Sequence, residues 1–311
     1  VMERNPYYWD AETVKLDQVR FYPTEDISSE ERTFRTGQLD KTNELPNAKI
    51  DAYRKDYPES LRIEPYLGIY YYRLNVTRPP LDDKRVRKAL ALAIDRESIV
   101  RNVTRGGQDP AYAVSYPGTA GYTPRAQLTG DLAEAKRLLA EAGYPNGENF
   151  PHVELLYNTS ENHRAIAEAI QQMWRTNLGI NVQLTNQEWK VYLDSQDNHD
   201  YWVQRAGWIA DYVDPNVFLE IWTSGNLNND TGWTNAEYDQ LAAAALAAKN
   251  NTERYEIYQQ MDAILVDELP VIPIYYYKRV YAMNPKVKGY WPTLLDNHPL
   301  KYIYIEEEVS P

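Results

Sequence analysis

The chain of 311 residues is long enough to bury a large core, and its 43% hydrophobic and 25% charged residues exclude a disordered, collagen-like or coiled-coil protein. Its 33 basic and 45 acidic residues give a formal net charge of -12, which opposes unassisted binding to nucleic acid or anionic lipid. The absence of cysteine excludes disulfide scaffolds, thiol catalysis and zinc sites built from thiolates.

Hydrophobic periodicity predicts a mixed α/β protein in which strands and helices alternate irregularly. We expect Asp82 or Asp83 to cap the first predicted helix and Ser160 to cap the third, since short polar side chains hold the free N–H groups of a first turn. In chain order, the predicted strands are 15–24, 61–75, 152–159, 181–188, 201–208, 272–281 and 300–306, and the predicted helices are 83–103, 131–142, 161–178, 235–249 and 252–268.

Two strand-like regions, 61–75 and 271–284, are longer than the usual length of about five or six residues. Strands of this length are what a crossing between two lobes would produce. We therefore predict one complete α/β lobe at 68–277 and parts of a second lobe at 1–67 and 278–311.

The aromatic composition and the missing motifs point to binding rather than to catalysis. The chain has 27 Tyr and 8 Trp against 4 Phe, and rings with a polar edge suit a surface for an amphiphilic ligand, although tyrosine can also replace phenylalanine in a half-exposed core. No phosphate loop, dinucleotide fingerprint, nucleophile elbow or paired-histidine helix occurs. His152, His163, His199 and His298 lack metal-ligand spacing, so we predict neither a cofactor nor a metal.

The segment from Arg205 onward combines a strand end with chemically useful residues. Gly207 would let a ligand approach the backbone, Trp208 would offer a ring face, and Asp211 could hold a cation. An alternative is that Asp211 and Asp214 only cap turns ahead of the following helix.

Six segments then carry a resemblance to a known family. They are PYLGIYYYRLN at 65–75, RVRKALALAIDRESIV at 85–100, LLYNTSENH at 155–163, NQEWK at 186–190, RAGWIADYVDP at 205–215 and IPIYYYKR at 272–279. In this order they resemble the oligopeptide-binding proteins of ABC importers, the extracellular solute-binding proteins of family five. The resemblance implies a fold of the periplasmic-binding-protein type II kind, in which two lobes close over an extended peptide.

The opening stretch ERNPYYWD at 3–10 resembles a part of that family that lies well inside the chain. The resemblance therefore implies a C-terminal portion, with one complete lobe and part of a second. It also implies three partners, namely a peptide, the membrane permease subunits of the importer and the missing N-terminal portion. The expected location is the periplasm, or the cell surface as a lipoprotein.

Part of the peptide site follows from the resemblance residue by residue. Gly207 and Ile209 match backbone that pairs with the peptide, and Asp211 matches the carboxylate that receives its amino group, which we expect to be buried. Trp189 and Trp208 match aromatic walls of side-chain pockets.

The remaining residues match ligand-facing positions and the carboxylate end. Asn43, Tyr71 and Tyr277 face the ligand in the family. Arg205 and His163 match cations that bind the peptide carboxylate. Because only a protonated His163 carries charge, binding should be sensitive to pH near 6.5, the ordinary pKa of histidine. Thr104 and Gln196 stand where enteric-type members carry a lysine and an arginine, so the preferred peptide length does not carry over.

Two alternatives remain open at this stage. The same fold could bind a dipeptide, a murein peptide, a nickel chelate or an oligosaccharide. An acidic chain rich in Trp and Tyr could also be a glycan-active enzyme, which needs two carboxylates about 5 to 10 Å apart, but no motif nominates such a pair. We therefore predict a binding protein and not an enzyme.

Overall fold

The computed structural model describes residues 1–306, and these residues form two compact units. The first unit takes residues 1–66 and 105–107 and the chain from Lys278 onward, and the second takes Leu67–Thr104 and Gln108–Tyr277. Residues 307–311 of the predicted range 278–311 lie outside the described residues. That the second unit is a complete lobe and the first a partial one stays a prediction.

The first unit is built from short elements and two small apolar clusters. One cluster centres on Ile50 and Tyr53, and the other on Tyr281 and Val287. Its strands pair antiparallel, β1 with β2 and β9 with β10. The elements are β1 (Met2–Glu3), β2 (Gln18–Val19), α1 (Ile27–Arg35), α2 (Ile50–Asp56), β9 (Val287–Lys288) and β10 (Tyr304–Ile305), with short 3-10 turns at Asn47–Lys49 and Leu300–Tyr302.

The predicted strands 15–24 and 300–306 are wrong in extent. In each region only two residues pair as strand, in β2 and β10. Arg20, Phe21 and Tyr22 are exposed, so this stretch has no buried face to hold an alternating pattern in register.

The second unit alternates helices and strands, which confirms the mixed α/β prediction. Two strands, β3 (Leu61–Leu74) and β8 (Val271–Ala282), contain the boundaries between the units. The other elements are α3 (Lys84–Leu92), α4 (Arg96–Ser98), the π-helical Ile99–Thr104, β4 (Asp109–Pro110), α5 (Leu132–Glu141), β5 (Glu154–Asn158), α6 (Glu161–Leu178), β6 (Gln183–Gln187), α7 (Trp189–Asp197), β7 (Val203–Ile209), α8 (Asn216–Leu219), α9 (Ala236–Ala247) and α10 (Asn251–Glu268), with 3-10 turns at Pro145–Gly147 and Glu220–Trp222.

The predicted helix 83–103 is interrupted. Asp83 caps α3 by accepting from the Arg85 N–H at 2.8 Å, as expected, but the helix ends at Leu92. Asp95 then opens a new helical turn by accepting from the Ser98 N–H at 2.9 Å. An aspartate that can bond the backbone ahead of it competes with continuation of the helix, and this explains the break.

One six-stranded sheet organises the second unit, with the strand order β4-β8-β3-β7-β5-β6. β3 and β7 are antiparallel over seven residue pairs from Gly68↔Ile209 to Leu74↔Val203, whereas β5 is parallel to both β6 and β7. Because side chains alternate along a strand, Tyr70 and Arg205 lie on one face of this sheet, and Tyr71 and Trp208 lie on the other.

Helices α3, α5 and α6 cover the face that carries Tyr70. Their apolar residues form the main core with Tyr70, Tyr72 and Leu155 of the sheet, and the Trp174 indole of α6 donates to the Leu90 carbonyl of α3 at 2.9 Å. Ser160 caps α6 as predicted, by accepting from the His163 N–H. Across residues 1–306, no helix combines the length and the apolar composition needed to span a membrane.

Candidate functional site

The outer edge of β7 offers unpaired backbone near its C-terminal end. The Asn75 N–H donates to the Trp202 carbonyl and the Ala210 N–H to the Leu67 carbonyl, so the even-numbered residues of this stretch bond to β3. The odd-numbered residues Arg205, Gly207 and Ile209 therefore direct their backbone groups to the opposite edge. On that edge β5 pairs only with Val203 and Gln204.

Only the first of these three residues has its outward carbonyl covered. The Tyr192 hydroxyl of α7 donates to the carbonyl oxygen of Arg205. No residue in the described range bonds the outward backbone groups of Gly207 or Ile209. The two residues form an open edge, defined here as the outward backbone of Gly207 and Ile209, which can accept one more strand.

Arg205 is a cation held by uncharged groups at the start of the open edge. Its guanidinium donates to Tyr277 Oη at 2.9 Å and to Asn158 Oδ1 at 3.4 Å, and it lies 4.8 Å from the centroid of the Tyr70 ring. Its buried Nε has no hydrogen-bond partner, and no carboxylate of residues 1–306 forms an ion pair with it. A partly buried cation in this state favours an anionic ligand.

Gly207 has a different role from the one expected. A Cβ at this position would lie 2.7 Å from Tyr277 Oη, so the missing side chain makes room for the phenol and not for a ligand above the sheet. The outward backbone of Gly207 nevertheless remains open. The close approach that we predicted is therefore available only along the strand edge.

His163 lies beside Arg205, but it is not the expected cation. Its Nδ1 is 3.4 Å from the Tyr70 hydroxyl, in the first turn of α6. Burial, and then repulsion by Arg205, hold the pKa of His163 well below its usual value of 6.5. The imidazole is therefore neutral at neutral pH, which corrects the prediction of a histidine cation that titrates near 6.5.

Asp211 follows β7 by two residues and is exposed rather than buried as expected. Its carboxylate has no hydrogen bond or ion pair with any part of the chain that the structure describes. Asp214, in contrast, accepts from the Asn216 N–H at 3.0 Å and pairs with Arg254 at 2.7 Å. The turn-capping alternative is confirmed for Asp214 and not for Asp211.

The two tryptophans differ in exposure. Trp189, the first residue of α7, is 51% exposed and stacks on Tyr192 with a centroid distance of 5.4 Å. Tyr192 clusters with Leu156, on the sheet face opposite Arg205. Trp208 is half-buried on that same face, and its buried indole N–H has no partner among residues 1–306. The open edge thus has an aromatic side and a cationic side.

Two predicted ligand-facing residues, Tyr71 and Asn43, have partners within their own units. Tyr71 is 1% exposed and lies edge-on to Trp222, so it packs in the core, and its contact with a ligand stays a prediction. Asn43 belongs to the first unit, where its N–H donates to Glu30 and its side-chain oxygen accepts from Arg279 at 3.1 Å.

The positions that lack the expected cations have structural roles. Thr104 is buried and donates to the Val100 carbonyl at 3.2 Å. Gln196 donates to Asp230, which also forms an ion pair with buried Arg73. Within residues 1–306, no cluster of His, Asp or Glu has a geometry that could hold a metal ion.

Sequence reasoning missed Tyr70, Asn158 and Tyr192. All three lie in or directly after segments quoted for the resemblance, but none stands out by residue type. Asn158 is the last residue of β5 and lies two residues before Ser160, the cap of α6. This position could have identified Asn158 as a site residue, because binding sites often lie where a strand ends ahead of a helix N-terminus.

Comparison with known proteins places the chain in a family. Residues 1–230 match the family model described as "Bacterial extracellular solute-binding proteins, family 5 Middle". The chain is 38% identical over 317 aligned positions to the periplasmic oligopeptide-binding protein OppA of Salmonella typhimurium, which covers 98% of the chain and 58% of that protein. It is 37% identical over 300 positions to the oligopeptide-binding protein OppA of Bacillus subtilis, covering 93% and 55%.

Solved structures agree with this relationship. The murein tripeptide binding protein MppA of Escherichia coli superposes with a TM-score of 0.91 at 36% identity, over 97% of this chain and 60% of that one. Haemophilus influenzae OppA in complex with RPPGFSPFR gives a TM-score of 0.89 at 34% identity, over 98% and 61%.

These neighbours confirm that the chain forms part of a periplasmic-binding-protein type II fold. It spans just over half the length of the two curated relatives. The chain belongs to the bacterial extracellular solute-binding proteins of family 5.

Proposed function

We propose that the chain is the peptide-holding part of an ABC importer receptor, which binds a peptide by its backbone and its two termini. The observation that carries this proposal is the open edge between a cation and an anion. Arg205 has no carboxylate partner at one end, Asp211 has no partner beyond the other, and the outward backbone of Gly207 and Ile209 lies between them.

Each part of this arrangement can bind a chemical group that all peptides share. An extended peptide can add to the open edge through main-chain hydrogen bonds, which do not depend on its sequence. Its amino group is a cation for Asp211, and its carboxylate is an anion for Arg205. Asn43, in the first unit, stays a proposed ligand contact on the resemblance alone.

Side chains of the bound peptide alternate between the two sides of the edge. On one side they would meet the ring faces of Trp189 and Trp208, which accept many residue types because ring packing makes no directional demand. On the other side they would meet Arg205, Tyr277 and neutral His163. Such a site fits a broad range of peptides.

The rest of the proposal extends what is known of relatives. Relatives are named as binding proteins for oligopeptides, dipeptides and murein peptides, which supports binding without catalysis. Membrane permease subunits of an importer and the remaining portion of the receptor are the proposed partners, and nucleic acid is not among them. The proposed location is the periplasm, or the cell surface as a lipoprotein.

Calorimetry with alanine peptides, from the dipeptide to the hexapeptide, tests the proposal. At the best length, N-acetylation, C-terminal amidation and N-methylation of a central amide should each weaken binding, since each removes one of the three interactions. A relative at 34% identity is named a probable deoxycholate-binding protein, so deoxycholate, a carboxylate without an ammonium group, is the contrasting probe. Tight binding of deoxycholate together with no binding of any peptide would contradict the proposal.

A further inference from the structure

Tyr277 reaches Arg205 across an intervening strand. In the order β8-β3-β7, the strand that carries Tyr277 is not a neighbour of the strand that carries Arg205. Two strand spacings amount to about 10 Å, yet Tyr277 Oη lies 2.9 Å from an Arg205 nitrogen. The tyrosine side chain must therefore lie across β3.

Two glycines leave space for the Tyr277 ring. A Cβ at Gly68 of β3 would lie 3.1 Å from Tyr277 Cδ2, and a Cβ at Gly207 of β7 would lie 2.7 Å from Tyr277 Oη and 3.3 Å from its Cε2. Neither glycine has a positive φ, so their backbone conformation does not require glycine. At Gly207 the Tyr277 hydroxyl is the nearest atom and requires the glycine. At Gly68 a Cβ would also lie 2.5 Å from Ile209 Cδ1 and 2.9 Å from the Trp208 carbonyl oxygen, so this glycine leaves space for β7 as well as for the ring. We call Gly68 and Gly207 the glycine notch.

The Tyr277 hydroxyl makes the shortest hydrogen bond to the Arg205 guanidinium. The contact with Asn158 is longer, at 3.4 Å, and Tyr70 offers only its ring. Long arginine side chains have many rotamers, so without Tyr277 the guanidinium loses its best-defined anchor. An uncharged anchor also leaves the positive charge of Arg205 unneutralised.

We propose that Tyr277 is a positioning residue for Arg205, held in place by the glycine notch, and that it sets the preference of the site for a free carboxylate. This inference rests on the proposed function, in which Arg205 receives the peptide carboxylate. Tyr277 then acts through Arg205, and the notch acts through Tyr277.

The test measures the dissociation constant of each peptide as C-terminal amide and as free acid. The ratio of the amide value to the free-acid value expresses the preference for a free carboxylate. In Tyr277→Phe the ring remains but the acceptor is lost, so affinity for the free acid should fall about three- to tenfold, and affinity for the amide should fall by a smaller factor. Gly207→Ala should lower the ratio at least as far, because the new methyl group displaces the hydroxyl.

Tyr276→Phe is the matched control on the same strand. The Tyr276 hydroxyl donates to the carbonyls of Ala113 at 2.9 Å and Ser115 at 3.0 Å, away from Arg205. This variant should lower the melting temperature and leave the ratio unchanged, which separates positioning from general damage to the strand.

The outcomes distinguish the inference from the function beneath it. If Arg205→Met abolishes the preference for the free acid but Tyr277→Phe and Gly207→Ala keep it, the inference is overturned and the proposed function stands. If the unmodified protein shows no preference, or binds no peptide, the proposed function fails and the inference fails with it. A crystal structure of Gly207→Ala in which Tyr277 still bonds Arg205 would overturn the role of the notch by itself.

Discussion

The hydroxyl of Tyr192 donates to the main-chain carbonyl oxygen of Arg205, and this bond marks the point where the open edge of β7 begins. The Trp189 indole stacks on the ring of the same tyrosine, with an interplanar angle of 15°. A tryptophan with 51% of its surface exposed is thereby held beside the first free backbone groups. A ring held in this way can pack against a ligand with little loss of side-chain entropy.

We therefore expect Trp189→Ala to weaken peptide binding by about 1 to 2 kcal/mol, because the ligand loses a preordered ring face. Trp291→Ala is the control, since Trp291 is exposed to a similar extent, 46%, but its ring packs on Tyr302 and not on a residue that contacts the open edge. Calorimetry on both variants checks the prediction. Equal losses in the two, or no loss in Trp189→Ala, would remove Trp189 from the site.

Asp211→Asn should reduce the sensitivity of binding to the peptide amino group. Since Asp211 is exposed, its ion pair with the ligand should contribute only about 1 kcal/mol or less unless another part of the receptor covers it. The informative quantity is the effect of N-acetylating the peptide, which should be smaller in Asp211→Asn than in the unmodified protein. Asp197→Asn, the same charge change at another exposed aspartate, should leave this effect intact. An identical acetylation effect in both variants would exclude Asp211.

A buried ion pair near the site provides a prediction about stability. Arg73 Nη1 lies 2.8 Å from Asp230 Oδ2, and their side chains are 8% and 11% exposed. Asp230→Ala leaves a buried guanidinium without its counter-charge and should lower the free energy of unfolding by about 3 to 5 kcal/mol. Glu134→Ala, which removes one of the two exposed carboxylates that pair with Arg137, should destabilise the protein far less, because water screens an exposed ion pair. Urea denaturation of both variants measures the difference, and similar values would contradict it.

Sequence alone predicted much of the second unit because its signals are local. Ser160 and Asp83 cap their helices as expected, and the strand predicted at 201–208 is displaced by only one or two residues from Val203–Ile209. The residues of the open edge follow one another in the chain, so a single motif contained them. Whether their backbone groups remain unpaired, however, depends on where β5 stops pairing with β7, and no local sequence pattern encodes that point.

The errors concern residues whose roles depend on distant partners. Both faces of the sheet are covered, so the run Tyr70, Tyr71 and Tyr72 carries no polar alternation that tells which ring faces the core. The space above Gly207 is filled by Tyr277, and the pKa of His163 is lowered by its burial and then by Arg205, a neighbour only in space. In each case the deciding contact joins residues that are many positions apart in the chain.

The last prediction concerns two buried groups whose effects on stability oppose each other. The pKa of His163 is lowered in the folded protein, so below pH 6.5 the unfolded chain binds the proton more readily, and stability falls as the pH decreases. Burial raises the pKa of Asp262 from 3.8 to about 6, with the Tyr122 hydroxyl donating to it at 2.6 Å. Between about pH 4 and 6 the folded protein therefore binds the proton of Asp262 more readily, and stability rises as the pH decreases.

Single variants should separate the two contributions in urea titrations between pH 4 and pH 7. His163→Gln leaves the Asp262 contribution, so acidification should raise its free energy of unfolding by up to about 3 kcal/mol, because the pKa of Asp262 is raised from 3.8 to about 6. The unmodified protein should gain less, because protonation of His163 in the unfolded chain opposes this effect. Asp262→Asn leaves the His163 contribution, so acidification should destabilise it more than the unmodified protein. The sign of the change differs between the variants because one group must gain a charge and the other must lose one. Parallel pH profiles for all three proteins would show that neither group is held in the protonation state that its burial implies.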